Sequence, residues 1–254
     1  MIYVMSDIHG NLRRFKSVMK KIDLQPEDTL YVLGDVVDRH PYGIEILQEI
    51  MAMPNAKMIL GNHEHMMLNA MVPQDTSLPW KRDGGLKDLK LWYRNHGQVT
   101  EEHLKKLSQE DRQRLFDFLI GLPLSVDIVV GEKLYKLVHA SPKEFYHKDK
   151  WGYLDQTQFA VWERIEDCTQ IPDEYTLVFG HTPTLYYCAE DRLRIWHDKN
   201  KIGIDCGSGL EEIALTVFPH QGNLACLRLD DMQEFYSDEA DKPIDPNKIP
   251  RDKV

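Results

Sequence analysis

Met58-Ile59-Leu60-Gly61-Asn62-His63-Glu64 is a short apolar run that breaks at a glycine and then delivers an amide, an imidazole and a carboxylate in succession. An apolar strand ending in a tight polar turn is how an open α/β sheet presents functional groups at the carboxyl ends of its strands. Residues 2–10 and 30–39 have the same form, and each is followed by a helical pattern. Leu12, Phe15, Val18, Met19 and Ile22 recur at helical spacing, as do Ile44, Leu47, Ile50 and Met51. Strands are therefore expected at residues 2–5, 29–33 and 56–60, with helices after them, the second over 43–51 and the third over 64–71. Repetition of strand, ligand-bearing turn and helix predicts a parallel β-α-β core.

From residue 73 to about 123 the pattern becomes an all-helical insertion or cap. Residues 73–85 read as loop, and 86–93, 101–107 and 110–119 as helices. Ser108 with Asp111 three residues on is a weak relative of the capping box, and Leu115, Phe118 and Leu119 give the last helix a buried face. Pro123 stops it. Beyond, strands at 126–130 and 134–138 flank Gly131-Glu132, a pair suited to a two-residue hairpin turn, and end in His139-Ala140-Ser141. A helix over 156–164 precedes a strand at 176–179 that terminates in Gly180-His181-Thr182-Pro183. Further strands at 202–204, 213–218 and 224–229 predict a second sheet packed on the first. The fold class is α/β with mixed α+β character, two packed mixed sheets flanked by helices. One domain is expected over 1–236, followed by a polar tail at 237–254 rich in Pro, Asp and Lys.

With 42% hydrophobic and 28% charged residues among 254, and no apolar run near the ~18 needed to span a bilayer, the chain reads as soluble and globular, with no membrane partner. A net charge of -10 argues against a broad nucleic-acid-binding face while leaving room for a local anion pocket. Cys168, Cys188, Cys206 and Cys226 form no C-x-x-C, so reduced core cysteines are expected rather than a thiolate site. The first residues show no basic stretch with an apolar core and cleavage site, so the expected compartment is the cytoplasm.

Asp7, His9, Asp35, Asn62, His139 and His181 all sit just past apolar strands. Singly, such residues are common in loops. Together they are oxygen and imidazole ligands that would converge at one edge of the sheets. Such a mixed, thiolate-free set suits two divalent ions such as manganese, iron or zinc, and a carboxylate such as Asp35 can bridge them.

Asp7-x-His9-Gly10, Gly34-Asp35-x-Val37-Asp38-Arg39, Gly61-Asn62-His63-Glu64, His139 and Gly180-His181-Thr182 resemble the calcineurin-like metallophosphoesterases. The Asp-Arg and Asn-His-Glu forms look like its phosphoprotein phosphatase branch. The Trp162-Glu163-Arg164 element and the Gly84-Gly85 loop look most like its compact bacterial and bacteriophage serine/threonine phosphatases. The resemblance covers about residues 2–207. It implies a β-sandwich core, with Asp7, His9 and Asp35 on one metal ion and Asp35, Asn62, His139 and His181 on the other. Manganese is the ion favoured. The nucleophile would be a hydroxide derived from solvent, and Arg39 and Arg164, with Asn62, would bind the phosphate. His63 would be the general acid, with Asp38 orienting its ring and favouring the charged form; the competing reading makes His63 another ligand. Glu64 could support a ligand.

Two departures from the branch stand out. His40 replaces a glycine after Asp-Arg, adding bulk where a residue tolerant of positive φ is expected, and Ala140-Ser141 replace glycines after the third ligand motif. His65, His96, His103, His147, His197 and His220 match no motif and read as surface or packing residues, and Met66, Met67 and Met71 as helix packing. Specificity is expected around Trp80, Trp151 and Tyr153. The implied function is a phosphomonoesterase of the serine/threonine protein phosphatase type, acting on a phosphorylated protein or a small phosphoester. The alternatives are a symmetrical bis(5'-nucleosyl)-tetraphosphatase or other phosphodiesterase, and, from another class, a non-catalytic metal-binding interaction module.

Overall fold

The computed structural model describes residues 1–187, 193–210 and 222–237. Ten strands form two five-stranded sheets among these residues. The first sheet runs β10-β9-β1-β2-β3, with β1 (Ile2–Met5), β2 (Thr29–Val32), β3 (Ala56–Met58), β9 (Ala225–Arg228) and β10 (Gln233–Tyr236). β1, β2 and β3 are parallel, as expected, and β9 returns antiparallel to β1. The second sheet runs β4-β5-β6-β8-β7, with β4 (Ser125–Val130), β5 (Lys133–Val138), β6 (Thr176–Phe179), β7 (Trp196–Asp198) and β8 (Lys201–Gly203). The β4–β5 hairpin turns through Gly131-Glu132, where Gly131 has φ +62°.

The sheets close on each other through Val4, Tyr31, Leu33, Ile59, Leu137, Val178, Ile204 and Leu227, all buried. The outer face of the first sheet packs against α1 (Leu12–Ile22), α2 (Gly43–Ala52) and α3 (Asn62–Met71), whose Phe15, Val18, Ile44, Leu47, Met66 and Met67 belong to one cluster. The insertion adds α4 (Leu86–Arg94), α5 (Gln98–Leu104) and α6 (Gln109–Ile120) to that same cluster through Trp92, Leu104, Leu115 and Leu119. α6 starts with the Ser108 side chain accepting from the Asp111 amide at 3.0 Å. After β5 come α7 (Lys148–Trp151) and α8 (Gln156–Trp162), the latter opened by a capping box between Asp155 and Gln158. No described helix is long and apolar enough to cross a membrane.

Several expectations shift. α5 begins at Gln98 rather than 101, and α3 begins at Asn62, so two candidate residues lie in its first turn. α8 stops at Trp162, because Glu163 is extended, and Arg164 leaves the helix exposed. β7, α7 and β10 were not foreseen; they are too short to show a period. Cys206 and Cys226 are buried, but Cys168 is exposed, contrary to the core reading; Cys188 lies outside the described residues. So do the strand expected at 213–218, His220, and the tail from 238 on. Ser237 is buried and bonds to Asn223, so it joins the fold rather than the tail.

The turns after β2 and before α3 cross glycine to glycine. Gly34 has φ +92°, and a Cβ there would lie 2.6 Å from the Gly61 Cα; a Cβ on Gly61 would lie 2.6 Å from the Glu64 carboxylate. Gly61→Ala should cost about 3 kcal/mol in urea denaturation, toward the upper end for overpacking. Gly131→Ala should cost about 1 kcal/mol, since only the backbone is strained there. Equal losses at the two positions would contradict the crossing.

Candidate active site

Five loops meet at the carboxyl ends of the central strands. The turn after β1 carries Asp7 and His9, and the turn after β2 carries Asp35, Asp38 and Arg39. The first turn of α3 carries Asn62 and His63, while His139 and His181 follow β5 and β6. The first two turns continue the sheet as a backbone ladder, with the amides of Asp7, His9 and Gly10 donating to the carbonyls of Gly34 (3.1 Å), Asp35 (2.9 Å) and Val36 (2.7 Å). Asp7, His9, Asp35, Asp38, Arg39 and His181 all have φ between +52° and +70°. That conformation is uncommon outside glycine, and its clustering marks backbone held by the surrounding fold. His40 is not among them: the positive φ falls on Asp38 and Arg39 instead, so the departure there adds bulk without needing a glycine.

The imidazoles are fixed by what each gives away. Nδ1 of His139 donates to the Leu33 carbonyl (2.7 Å), Nδ1 of His9 to the Val37 carbonyl (3.2 Å), and Nε2 of His181 to the Trp162 carbonyl (3.1 Å). Burial lowers all three and so favours the neutral ring, His9 and His181 lying well below the usual range and His139 lowered against the pull of Asp7. The second nitrogen of each ring is then a bare lone pair. For His139 and His181 it faces Oδ1 of Asn62, at 2.9 Å in both cases, and for His9 it faces Asp7 and Asp35, both at 3.8 Å. His139 Nε2 also lies 3.5 Å from Asp35 Oδ1. These are acceptors aimed at acceptors, an arrangement that suits a cation between them, and each ring is oriented by an outer carbonyl as metal-bound histidines are. Two groups of ligand atoms, His9-Asp35-His63 and Asp35-His139-His181, each fall within 4.8 Å, and Asp35 belongs to both.

Two further buried carboxylates surround the cluster. Glu64 accepts the amides of Asp35 (2.8 Å), Val36 (2.8 Å) and Val37 (3.2 Å). It is therefore the anchor of the Asp35 turn, and burial still pushes it up to about 7 against those bonds. Asp205, just past β8, escaped the sequence reading. It is buried, accepts the Gly207 amide at 2.9 Å, and its charge is the next cause after burial raising Asp7. The signal was present in Ile202-Gly203-Ile204-Asp205, another apolar strand ending in a ligand type. Burial likewise pushes Asp35 up to about 7 against the pull of His63.

His63 Nδ1 lies 2.7 Å from Oδ2 of Asp38, and its Nε2 is 3.9 Å from Asp35. Burial outweighs the pull of Asp35 and pushes His63 down to about 3, while Asp38 rises to about 7 for the same reason. Asp38 also accepts from Trp92 Nε1 (2.8 Å) and Thr100 Oγ1 (2.6 Å), two insertion residues not foreseen as part of the site. Arg39 lies over His9 and Gly209, where a Cβ would come within 2.6 Å of both side chains. Arg164 is exposed, yet its charge reaches His181 and Asp205.

Of the other histidines, His96 borders the cluster, its carbonyl accepting the Arg39 amide and its charge helping to lower His63, while four others lie apart from it. His65 is buried against Trp80, His103 pairs with Glu45, His147 stacks on Trp151 and His197 pairs with Glu234. Of the three aromatics expected to govern specificity, Trp80 bonds Asn69, Trp151 packs on Phe159, and Tyr153 is exposed.

The family model for calcineurin-like phosphoesterases matches residues 1–206. Serine/threonine-protein phosphatase 2 of Salmonella typhimurium is 28% identical over 193 residues, covering 71% of this chain and 78% of that protein. A symmetrical bis(5'-nucleosyl)-tetraphosphatase of Baumannia cicadellinicola is 23% identical, over 80% of this chain and 91% of its own. Among solved structures, a yeast protein serine/threonine phosphatase superposes with a TM-score of 0.54 at 14% identity, over 96% of this chain and 81% of its own, which bears on the fold alone. The family uses divalent metals, and the paired ligand groups are in place for them. The chain belongs to the calcineurin-like phosphoesterases and is a metal-dependent phosphatase.

Proposed function

We propose that the chain is a phosphomonoesterase of the serine/threonine protein phosphatase type. The observation that carries this reading is the set of bare imidazole nitrogens aimed at carboxylate and amide oxygens, with two guanidinium groups beside it. Asp7, His9 and Asp35 would hold one divalent cation, and Asp35, Asn62, His139 and His181 the other, with manganese the ion favoured by this oxygen and nitrogen set. Such a pair, when bound, supplies Lewis-acid polarisation of the phosphoryl group and acidifies water. The cytoplasm is the compartment that fits free Cys206 and Cys226. Residues 1–236 are read as one domain, with the helical insertion at about 73–123.

Arg39 and Arg164, with Asn62, bind the phosphate oxygens, on which charge builds during in-line displacement. The incoming dianion favours the protonated form of His63, against the burial that otherwise holds it neutral. Asp38 keeps Nδ1 engaged, so Nε2 is the nitrogen that gives its proton to the leaving oxygen. Glu64 acts one step out, by holding the turn that presents Asp35.

A monoester of a protein is favoured over a dinucleoside polyphosphate by the cavity beside Arg164. It has about 460 Å³, and Glu166, Asp167, Tyr186 and Tyr187 line it. Two of the residues lining it are acidic, a composition less suited to a second run of phosphates. The tetraphosphatase reading is kept as the alternative because a relative of that name aligns over most of both chains.

A manganese-supplemented panel of p-nitrophenyl phosphate, phosphoserine peptide, phosphotyrosine peptide and diadenosine tetraphosphate discriminates these readings. Phosphoserine peptide should be turned over best. Preference for the dinucleotide would favour the alternative, and no turnover of any ester with metal bound would favour a binding module. His63→Asn should lower turnover by about 10²- to 10⁴-fold while metal content, read by elemental analysis, stays nearly intact; loss of both ions would make His63 a ligand. Glu64→Gln should weaken manganese binding by about 10- to 100-fold in calorimetric titration, and unchanged affinity would remove Glu64 from support of the site.

A further inference from the structure

We infer that Trp92 and Thr100, on the helical insertion, are positioning residues for proton delivery: they hold Asp38 so that His63 presents Nε2 to the leaving oxygen. The inference rests on the proposed acid role of His63 and adds the part of the chain that makes that role specific.

The hydrogen bonds around Asp38 set the direction in which its carboxylate accepts. An indole N–H can only donate, so Trp92 Nε1, 2.8 Å from Oδ2, places its proton on that oxygen. Thr100 Oγ1 accepts the Asp38 amide at 2.9 Å and donates its own proton to Oδ1 at 2.6 Å. The Asp38 carboxylate is thus met by two donors, of which the indole cannot reverse. Both favour a carboxylate that accepts from its remaining neighbour, His63 Nδ1 at 2.7 Å. That assigns the hydrogen of Nδ1 to Asp38 and leaves Nε2 as the nitrogen that carries the transferable proton. The two bonds also fix the carboxylate in plane and rotation, and with it the ring.

The insertion is shaped to make these two bonds. Trp92 is buried with none of its surface exposed, and Thr100 likewise. The link between α4 and α5 folds under the indole: Gly97 donates to the Trp92 carbonyl at 3.1 Å, and a Cβ on Gly97 would strike the indole ring. The carbonyl of His96, at φ +66°, accepts the Arg39 amide at 3.4 Å. One short stretch of the insertion therefore braces both the partner of the acid and the backbone of the phosphate clamp. A segment serving as a cover alone would not need two buried donors on one carboxylate 54 and 62 residues away in sequence.

General acid catalysis matters most when the leaving group is a poor one. The test compares kcat/KM for phenyl phosphate and for p-nitrophenyl phosphate, in manganese, for wild type, Trp92→Phe, Thr100→Val, Thr100→Ser and His63→Asn, with metal content and melting temperature read on each. Trp92→Phe and Thr100→Val should lose about 10- to 100-fold on phenyl phosphate and a clearly smaller factor on the nitrophenyl ester, with metal content held. Thr100→Ser, which keeps the hydroxyl, should recover most of the loss, and it guards against the folding defect that the larger Trp92 change risks. Equal losses of Thr100→Val on both esters, or equal defects in Thr100→Ser and Thr100→Val, would overturn the inference. If His63→Asn shows the leaving-group signature and Thr100→Val does not, the inference falls while the acid assignment stands. A wild type that turns over neither ester with metal bound removes the functional reading and the inference with it.

Discussion

The Glu64 carboxylate, buried and bound by three successive backbone amides of the Asp35 turn, is the contact on which the rest of the site depends. Moving a carboxylate out of water costs several kcal/mol, and charge-assisted hydrogen bonds return about 1.5–3 kcal/mol each. Three such bonds offset most of that cost without removing it, which is why burial still raises Glu64. In return, the turn after β2 is tied to the first turn of α3, where Asn62 and His63 sit. The Asp35 Oδ1 atom closes the same loop by accepting the His63 amide at 2.9 Å. Two glycines make this approach possible, because neither turn has room for a Cβ where they cross.

A consequence is that the site's geometry is set before any ligand arrives. Six residues with left-handed backbone, each disfavoured by roughly 1–2 kcal/mol, are held by the ladder between the first two turns and by the sheets behind them. The histidine tautomers are likewise set by carbonyls of the segment after β2 and of the end of α8, not by one another. Pre-set donors cost no rearrangement when charge develops, which is where such sites gain most of their rate.

Much of this was legible along the chain because a strand ending in a ligand-bearing turn is a local signal. Asp7, His9, Asp35, Asn62, His139 and His181 could be found that way, and each sits at a strand or helix end in the fold. Asp205 has the same signal but follows a strand of only three residues, too short to show the pattern. Trp92 and Thr100 have no local signal at all. An aromatic on the buried face of an amphipathic helix reads as packing, and only the folded chain brings its N–H to Asp38. The downward shift of His63 is not legible along the chain for a related reason. The pull of Asp38 is a pairwise effect that can be guessed from motif spacing, whereas complete burial is a property of all the loops together.

The division of the ligands between the sheets sets a further constraint. Asp7, His9, Asp35 and Asn62 come from the first sheet and its helix, while His139 and His181 come from the second. The bare nitrogens of those two histidines meet Asn62 across the gap between the sheets, at 2.9 Å each. The spacing of the second ligand group is therefore fixed by the thickness of the apolar layer formed by Val4, Leu33, Ile59, Leu137 and Val178. Gly180 marks how little slack there is, since a Cβ there would strike the side chains of Ser6 and Asp7 from the opposite sheet. Close-packed interiors transmit small volume changes rather than absorbing them. The core that stabilises the sandwich is for that reason also the spacer of its chemistry, and the two roles cannot be varied independently.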